Sequence, residues 1–332
     1  MTPRNTRPVI AVTGGDPAGV GPEVIEALFS GYRPTRSLAV VIGARTVFAS
    51  FLVRSGIETI ERISERSLPA RGVVFLDTGC RERYRTGRDS KGGGEHAGRI
   101  LEQTCRLARA GSIDGIVTSP ISKNALNLAG HRFMGHTEML ARRLRAPDCQ
   151  MMMVYRDFRV VPLTRHLPLR MVSNAVTQQR ITTCAEVVTR ALRTDFGIRK
   201  PRIVVAGLNP HAGEEGLLGS EEADIISPAV KQLRRRGFRI EGPVPADALF
   251  QNAQSGTFDA FIAMYHDQGL IPFKLLAKRR GVNVTVGLPV VRTSVDHGVA
   301  YDIAGTGRAS SISLRAAYRM AEKLVLVRGH AR

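Results

Sequence analysis

The stretch Ala263-Met264-Tyr265-His266-Asp267-Gln268-Gly269-Leu270-Ile271-Pro272-Phe273-Lys274 decides how the chain is read. It closes an apolar run over 260–264 that reads as a buried strand arriving from Phe258-Asp259. At the strand's carboxyl end stand a histidine, a carboxylate, an amide and a glycine, with Lys274 a few residues on. In open α/β sheets ligands bind outside the carboxyl ends of the strands, so chemistry belongs here. A histidine followed by an aspartate ligates a metal through the imidazole and keeps a carboxylate nearby as base or orienter. The bland alternative is a surface turn with a chance His-Asp pair. The rest of the chain decides between them.

Working outward, strands alternate with helices. Residues 8–13 read as a short strand, followed by the glycine-rich turn Gly14-Gly15-Asp16-Pro17-Ala18-Gly19-Val20-Gly21-Pro22-Glu23. Pro22 sits where a first helical turn begins. Further strands read at 38–42, 73–76, 113–117, 150–154, 159–163 and 203–206, with 282–287 as the last. Helical spacing marks 96–110, 182–193, 223–236 and 311–327. This rhythm predicts a mostly parallel sheet covered on both faces.

At 332 residues the chain is too long for one compact core, and two domains are expected. We place a boundary near residue 128. Apolar content of 43% with 33 glycines and 17 prolines suits an α/β enzyme rich in tight turns. No apolar run approaches the roughly 18 residues of a membrane span. The apolar run after the basic N-terminus is too short for a signal-peptide core, which reads as cytoplasmic. Cys80, Cys105, Cys149 and Cys184 are scattered without a Cys-x-x-Cys pair, as expected of reduced thiols. The net charge of +19 invites a nucleic-acid reading. Its arginines are dispersed, however, and no basic run is interleaved with the 12 Phe and 6 Tyr, so we expect no nucleic-acid partner.

Two further strand ends finish in histidine: His166 after 159–163 and His211 after 203–206. Taken singly, each reads as a capped or solvent-facing turn residue. Three of the eight histidines in equivalent positions read instead as an open, catalytic metal site. Gly135-His136-Thr137-Glu138 opens a helix whose free N–H groups suit an anion. Lys274, Asn283 and Arg292 flank the last strand and could hold a phosphate or carboxylate. No Gly-x-Gly-x-x-Gly follows a strand, and the Gly14–Gly21 turn makes a poor pyrophosphate cradle.

These residues resemble a known family. Gly15-Asp16-Pro17-Ala18-Gly19-Val20-Gly21-Pro22-Glu23 is similar to a turn of isocitrate and isopropylmalate dehydrogenases, and His297-Gly298-Val299-Ala300-Tyr301-Asp302-Ile303-Ala304-Gly305 to their adenosine-binding loop. The closer resemblance, over nearly the whole chain, is to the 4-hydroxythreonine-4-phosphate dehydrogenase family of pyridoxal phosphate biosynthesis. It is carried by Gly135 to Glu138, His166-Leu167-Pro168-Leu169-Arg170, Gly207-Leu208-Asn209-Pro210-His211-Ala212-Gly213-Glu214, Tyr265-His266-Asp267-Gln268-Gly269 and Arg292-Thr293-Ser294-Val295-Asp296-His297-Gly298.

The resemblance implies a two-domain α/β/α fold of the isocitrate/isopropylmalate dehydrogenase type with the active site in the interdomain cleft. A cofactor-side domain would comprise 1–128 and 271–332, and a metal, substrate and dimerisation domain 129–270. It implies a homodimer with shared sites, His166, His211 and His266 holding a divalent Zn, Mg, Mn or Co, and one of them, read as His266, serving the neighbouring subunit. His136, Thr137, Lys274, Asn283 and Arg292 would hold the phosphorylated substrate. Asp247 and Asp267 would lie near the metal as candidate bases. His297, Gly298 and Asp302 would meet NAD, the acidic Asp302 disfavouring the 2′-phosphate of NADP.

The implied reaction oxidises 4-hydroxythreonine 4-phosphate to a 3-oxo acid, which decarboxylates to 3-amino-2-oxopropyl phosphate. Relatives of the same skeleton act on D-threonate or D-erythronate 4-phosphate, and a metal-dependent hydrolase is the alternative that needs no nicotinamide. Arg165 departs from the small polar residue usual before the first metal histidine.

Overall fold

The run Leu38-Ala39-Val40-Val41-Ile42-Gly43 is buried at every residue, as a strand covered on both faces must be. The same holds for Ala260-Phe261-Ile262-Ala263. The computed structural model describes residues 7–63, 68–133, 135–251, 253–278 and 280–330. The basic stretch at 1–6 and Arg279 lie outside these residues. In chain order the strands are β1 (Val9–Thr13), β2 (Leu38–Gly43), β3 (Thr59–Ile60), β4 (Gly72–Asp77), β5 (Gly115–Thr118), β6 (Gln150–Tyr155), β7 (Phe158–Pro162), β8 (Ile203–Ala206), β9 (Ile240–Val244), β10 (Ala260–Ala263), β11 (Val282–Val286) and β12 (Val291–Ser294). The helices are α1 (Gly21–Gly31), α2 (Arg45–Ser55), α3 (Lys91–Arg109), α4 (Lys123–Leu128), α5 (His136–Arg143), α6 (Val172–Ala175), α7 (Gln178–Thr194), α8 (Ser227–Arg235), α9 (Ala246–Gln251), α10 (His266–Ala277) and α11 (Ile312–His330).

Packing divides the chain into two units. Unit 1 runs to Pro147 and resumes over Leu288–Gly329; unit 2 contains Asp148–Gly287. These limits differ from the expected 128/129 and 270/271. Helix α4 packs on α3 and so stays with unit 1, while α10 packs across β6, β7 and β10 and carries unit 2 past residue 270.

Unit 1 orders its strands β3-β4-β2-β1-β5-β12, every neighbouring pair parallel. Pro22 opens α1, and the Ser90 hydroxyl caps α3 by accepting from Gly93 N at 3.0 Å. Strand β12 lies beyond the last strand expected from sequence. Its four residues follow Pro289 too closely for alternation to stand out, yet all four are buried beside β5.

Unit 2 orders its strands β11-β6-β7-β10-β8-β9. The pairs β11–β6 and β6–β7 are antiparallel; β7–β10, β10–β8 and β8–β9 are parallel. Helix α7 is capped by Thr177 and turns Ile181, Cys184, Ala185, Val188 and Leu192 inward. The segment after β10, read from sequence as a turn, is the start of a helix that continues through Pro272. An interior proline forfeits one backbone hydrogen bond. Burial of Leu270, Phe273 and Ala277 against Phe158, Phe261 and Leu249 offsets that loss.

All four cysteines are buried thiols. No helix among the described residues is long and apolar enough to cross a membrane.

Phe273 is fully buried, with its ring 5.9 Å from that of Phe158. Phe273→Ala is expected to cost about 3–5 kcal/mol by urea denaturation, since α10 has no other large aromatic to hold it on the sheet. A loss below about 1 kcal/mol would mean that α10 is anchored elsewhere.

Candidate active site

In unit 2 the parallel neighbours β7, β10 and β8 end on one edge. His166 comes four residues after β7, His266 three after β10, and His211 five after β8. Beyond the strand ends the first two segments stay bonded. Leu163 N donates to Ala263 O at 2.8 Å, and the buried Thr164 gives both its N–H and its hydroxyl to Met264 O at 3.2 and 2.8 Å. The ring centroids of His166 and His266 consequently lie 5.6 Å apart. Two imidazoles on one tetrahedral ion, with N–metal bonds of about 2.0–2.1 Å, place their centroids about 5 Å apart. The pair fits a divalent cation.

His266 Nδ1 lies 2.7 Å from Asp267 Oδ1. A proton on Nδ1 leaves the Nε2 lone pair for a metal and fixes the ring's direction. His211 stands apart. It is exposed in a left-handed turn, φ 50°, with Nδ1 3.5 Å from Glu214 Oε2. Among the described residues no three His, Cys, Asp or Glu side chains are grouped closely enough to hold a metal. One chain therefore brings together two of the three expected ligands. The resemblance assigned His266 to the neighbouring subunit; in the chain itself His211 is the expected ligand set apart. Asp247 is exposed at the start of α9, a helix that packs against the turn carrying His211. Lys274 is exposed on α10, and Asn283 on β11 is half-buried with its Oδ1 covered and without a partner among the described residues.

Unit 1 assembles a second polar cluster. Arg292 lies inside β12, only 2% exposed, and donates Nη2 to Thr118 Oγ1 at 2.7 Å at the end of β5. His136 opens α5 after Gly135, whose φ of 143° only glycine takes readily. The His136 ring bonds to the backbone of Ser119. Burial, and then the positive charge of Arg292, push its imidazole well below the ordinary 6.5, so it is neutral. His136 Nε2 and Ser119 Oγ are covered and without partners among the described residues. Covered polar atoms of this kind call for a partner such as water, an ion or a ligand. Ser119 was not singled out from sequence, and only its burial draws attention to it. Thr137 lies in the same first helical turn, half-buried.

The expected cofactor loop is fastened to the glycine-rich turn within unit 1. Val20 N donates to Val299 O at 2.9 Å, and the Glu23 carboxylate accepts from Gly305 N and, at 3.0 Å, from Gly307 N. The Tyr301 hydroxyl lies 2.6 Å from Asp16 Oδ2 and 2.9 Å from Asp89 Oδ1. His297, Gly298 and Asp302 are exposed on this loop. Asp89 was not singled out from sequence, because its partners Ser122, Asn124 and Tyr301 lie 33, 35 and 212 residues away; Glu23 was read only as part of the turn, its partners Gly305 and Gly307 lying 282 and 284 residues away.

Residues 36–321 match the family description "Pyridoxal phosphate biosynthetic protein PdxA". The chain belongs to the PdxA family. It is similar to a 4-hydroxythreonine-4-phosphate dehydrogenase of Desulforapulum autotrophicum, 43% identical over 98% of each chain. A crystal structure of 4-hydroxythreonine-4-phosphate dehydrogenase from Klebsiella pneumoniae superposes with a TM-score of 0.85 at 38% identity, covering 97% of this chain and 98% of that one. A Salmonella typhi relative, described provisionally as a D-threonate 4-phosphate dehydrogenase, is 38% identical over 95% of this chain and 98% of its own. A β-decarboxylating dehydrogenase structure from Thermococcus kodakarensis, 15% identical with a TM-score of 0.53, shares the fold, covering 98% of this chain and 88% of that one. The expected fold type and the expected dehydrogenase both stand in this PdxA chain.

The neutral His136 has a sign that can be checked. As pH falls, the unfolded chain takes up this proton first, so the stability His136 confers is present above about 6.5 and declines below it. Urea melts from about pH 7.5 to about 5.5 are expected to show a steeper acid loss in the wild type than in His136→Asn. Equal slopes would show that the ring is not held neutral.

Proposed function

We propose that this chain is an NAD-dependent 4-hydroxythreonine-4-phosphate dehydrogenase acting in the cytoplasm as a homodimer with one divalent cation per site. The observation that carries the reading is the His166–His266 pair, 5.6 Å apart at neighbouring strand ends in a chain of the PdxA family. The partner subunit's His211 completes the ligand set. Exposed apolar residues beside all three histidines support an interface there: Leu167, Leu169 and Met171, then Leu217, then Ile271 and Leu275.

When bound, a Zn, Mg, Mn or Co ion would supply Lewis acidity at the substrate's C3 oxygen, and NAD a hydride acceptor. The chain's own residues do the rest. Arg292, His136, Thr137, Lys274 and Asn283 are the residues assigned to binding and orienting the anionic substrate. Neutral His136 offers a hydrogen bond without adding a second cation beside Arg292. Asp267 is engaged by the His266 ring and acts as its orienter. Asp247 is then the candidate base for the C3 hydroxyl proton. Oxidation at C3 leaves a ketone β to the carboxylate, and loss of CO2 yields 3-amino-2-oxopropyl phosphate. Tyr301 and Glu23 hold the loop on which His297, Gly298 and Asp302 meet the nucleotide.

The Salmonella typhi relative favours a second reading, the same oxidative decarboxylation on D-threonate 4-phosphate or its erythronate isomer, where C2 carries a hydroxyl in place of the amine. A hydrolase has no support within a family of dehydrogenases.

NADH formation from 4-hydroxythreonine, threonate and erythronate 4-phosphates, with added divalent metals, tests the substrate. The 4-hydroxythreonine phosphate is expected to lead, and its unphosphorylated form to lose at least roughly a hundredfold in kcat/KM. Equal turnover without the phosphate would remove the anion-site assignment. Mixing His211→Ala with His166→Ala subunits is expected to restore activity, because each mixed dimer then holds one intact site. Mixing His166→Ala with His266→Ala is expected to restore none. The reverse pattern would place His266 in the neighbour's site.

A further inference from the structure

His211 sits in a stretch of backbone that does not hold itself up. Residues 211 to 215 all have positive φ, at 50°, 54°, 84°, 43° and 58°, forming a left-handed turn. Of these only Gly213 takes that region freely. Each of the others costs on the order of 1–2 kcal/mol. Such a conformation persists only where its surroundings over-determine it.

What surrounds it is a carboxylate pair that the proposed reaction does not use. Glu222 is 5% exposed. Its Oε1 accepts from Leu208 N at 2.7 Å and Asn209 N at 2.8 Å, and its Oε2 from Asn209 Nδ2 at 2.9 Å. A Cβ on Gly207 or Gly213 would fall 3.2 or 2.8 Å from the Glu222 oxygens, so the chain wraps the carboxylate before and after His211. Glu222 begins a π-helical turn, Glu222–Ile226, that leads into α8. Burying the charge is tolerable only because three N–H donors meet it.

The neighbouring groups tie this turn to the other two histidine segments. Glu221 Oε2 accepts from Asn209 Nδ2 at 2.8 Å, and its Oε1 accepts the Ser173 hydroxyl at 2.7 Å, on α6 beyond His166. Gln268, two residues after His266, donates Nε2 to Gly207 O at 2.7 Å and accepts Met264 N at the same distance.

We propose that Glu222, with Glu221 beside it, is the positioning group for His211, holding the strained 211–215 turn in the one conformation that presents the imidazole for metal binding. The metal part of this inference rests on the reading of the three histidines as ligands. Glu222→Gln replaces one acceptor oxygen with an NH2 that faces the donors of Asn209, so at least one bond is lost while the shape is kept.

Two measurements on the full-length protein test it: amide hydrogen exchange over 207–217 without metal, and Co2+ titration followed by calorimetry and by the Co2+ absorption spectrum. Glu222→Gln is expected to exchange faster over 207–217, with β6 and β7 unchanged, to bind Co2+ roughly ten- to a hundredfold more weakly, and to alter the spectrum. Glu221→Gln is partly exposed and safe to fold, and is expected to shift both readouts the same way by less. Wild-type exchange, affinity and spectrum in Glu222→Gln would overturn the proposal. If that variant does not fold, unchanged exchange and affinity in Glu221→Gln overturn it instead. A His166→Ala protein that still binds Co2+ like the wild type would sink the metal reading alone, and the exchange data would still decide whether Glu222 holds the turn.

Discussion

The parallel ladder β7–β10–β8 is the constraint on which unit 2 depends. Backbone pairing, not attraction between side chains, delivers His166, His211 and His266 to one sheet edge. The pairing continues past the strands through Leu163 and Thr164, which bond to the carbonyls of Ala263 and Met264. A ladder fixes register to a single residue, so a one-residue slip would turn over the strand side chains and displace the segments that follow them. Unit 1 follows the same logic, since the β12–β5 register sets Arg292 where it can reach Thr118.

Electrostatics divides the labour between the two units. Unit 1 buries a permanent cation, Arg292, and keeps the adjacent imidazole neutral. Such an arrangement binds an anion without the self-repulsion that two neighbouring cations would carry. Unit 2 offers imidazoles and nearby carboxylates, the chemistry of a cation site. The overall charge of +19 is a property of the whole surface and explains neither cluster.

Much of this was legible in the sequence, for particular reasons. Unbroken apolar runs such as 38–43 and 260–263 can only be strands covered on both faces, and histidines just past such runs fall on a predictable edge. The start of α10 was not legible as helix, because Pro272 breaks the pattern and the burial that tolerates it is tertiary. Strand β12 was hidden by its length. Glu222, Asp89 and Ser119 carried no local signal, since a buried carboxylate looks like a surface one until its donors arrive from another part of the chain.

Tyr301 lies between two carboxylates, and a phenol has one hydrogen to give. The side chain of Asp16 is fully buried and burial raises its carboxyl, while hydrogen bonds from Ser122, Asn124 and Tyr301 outweigh burial and hold that of Asp89 low. The loop is thus latched to two acids of unequal strength, and as pH falls a proton reaches Asp16 before Asp89.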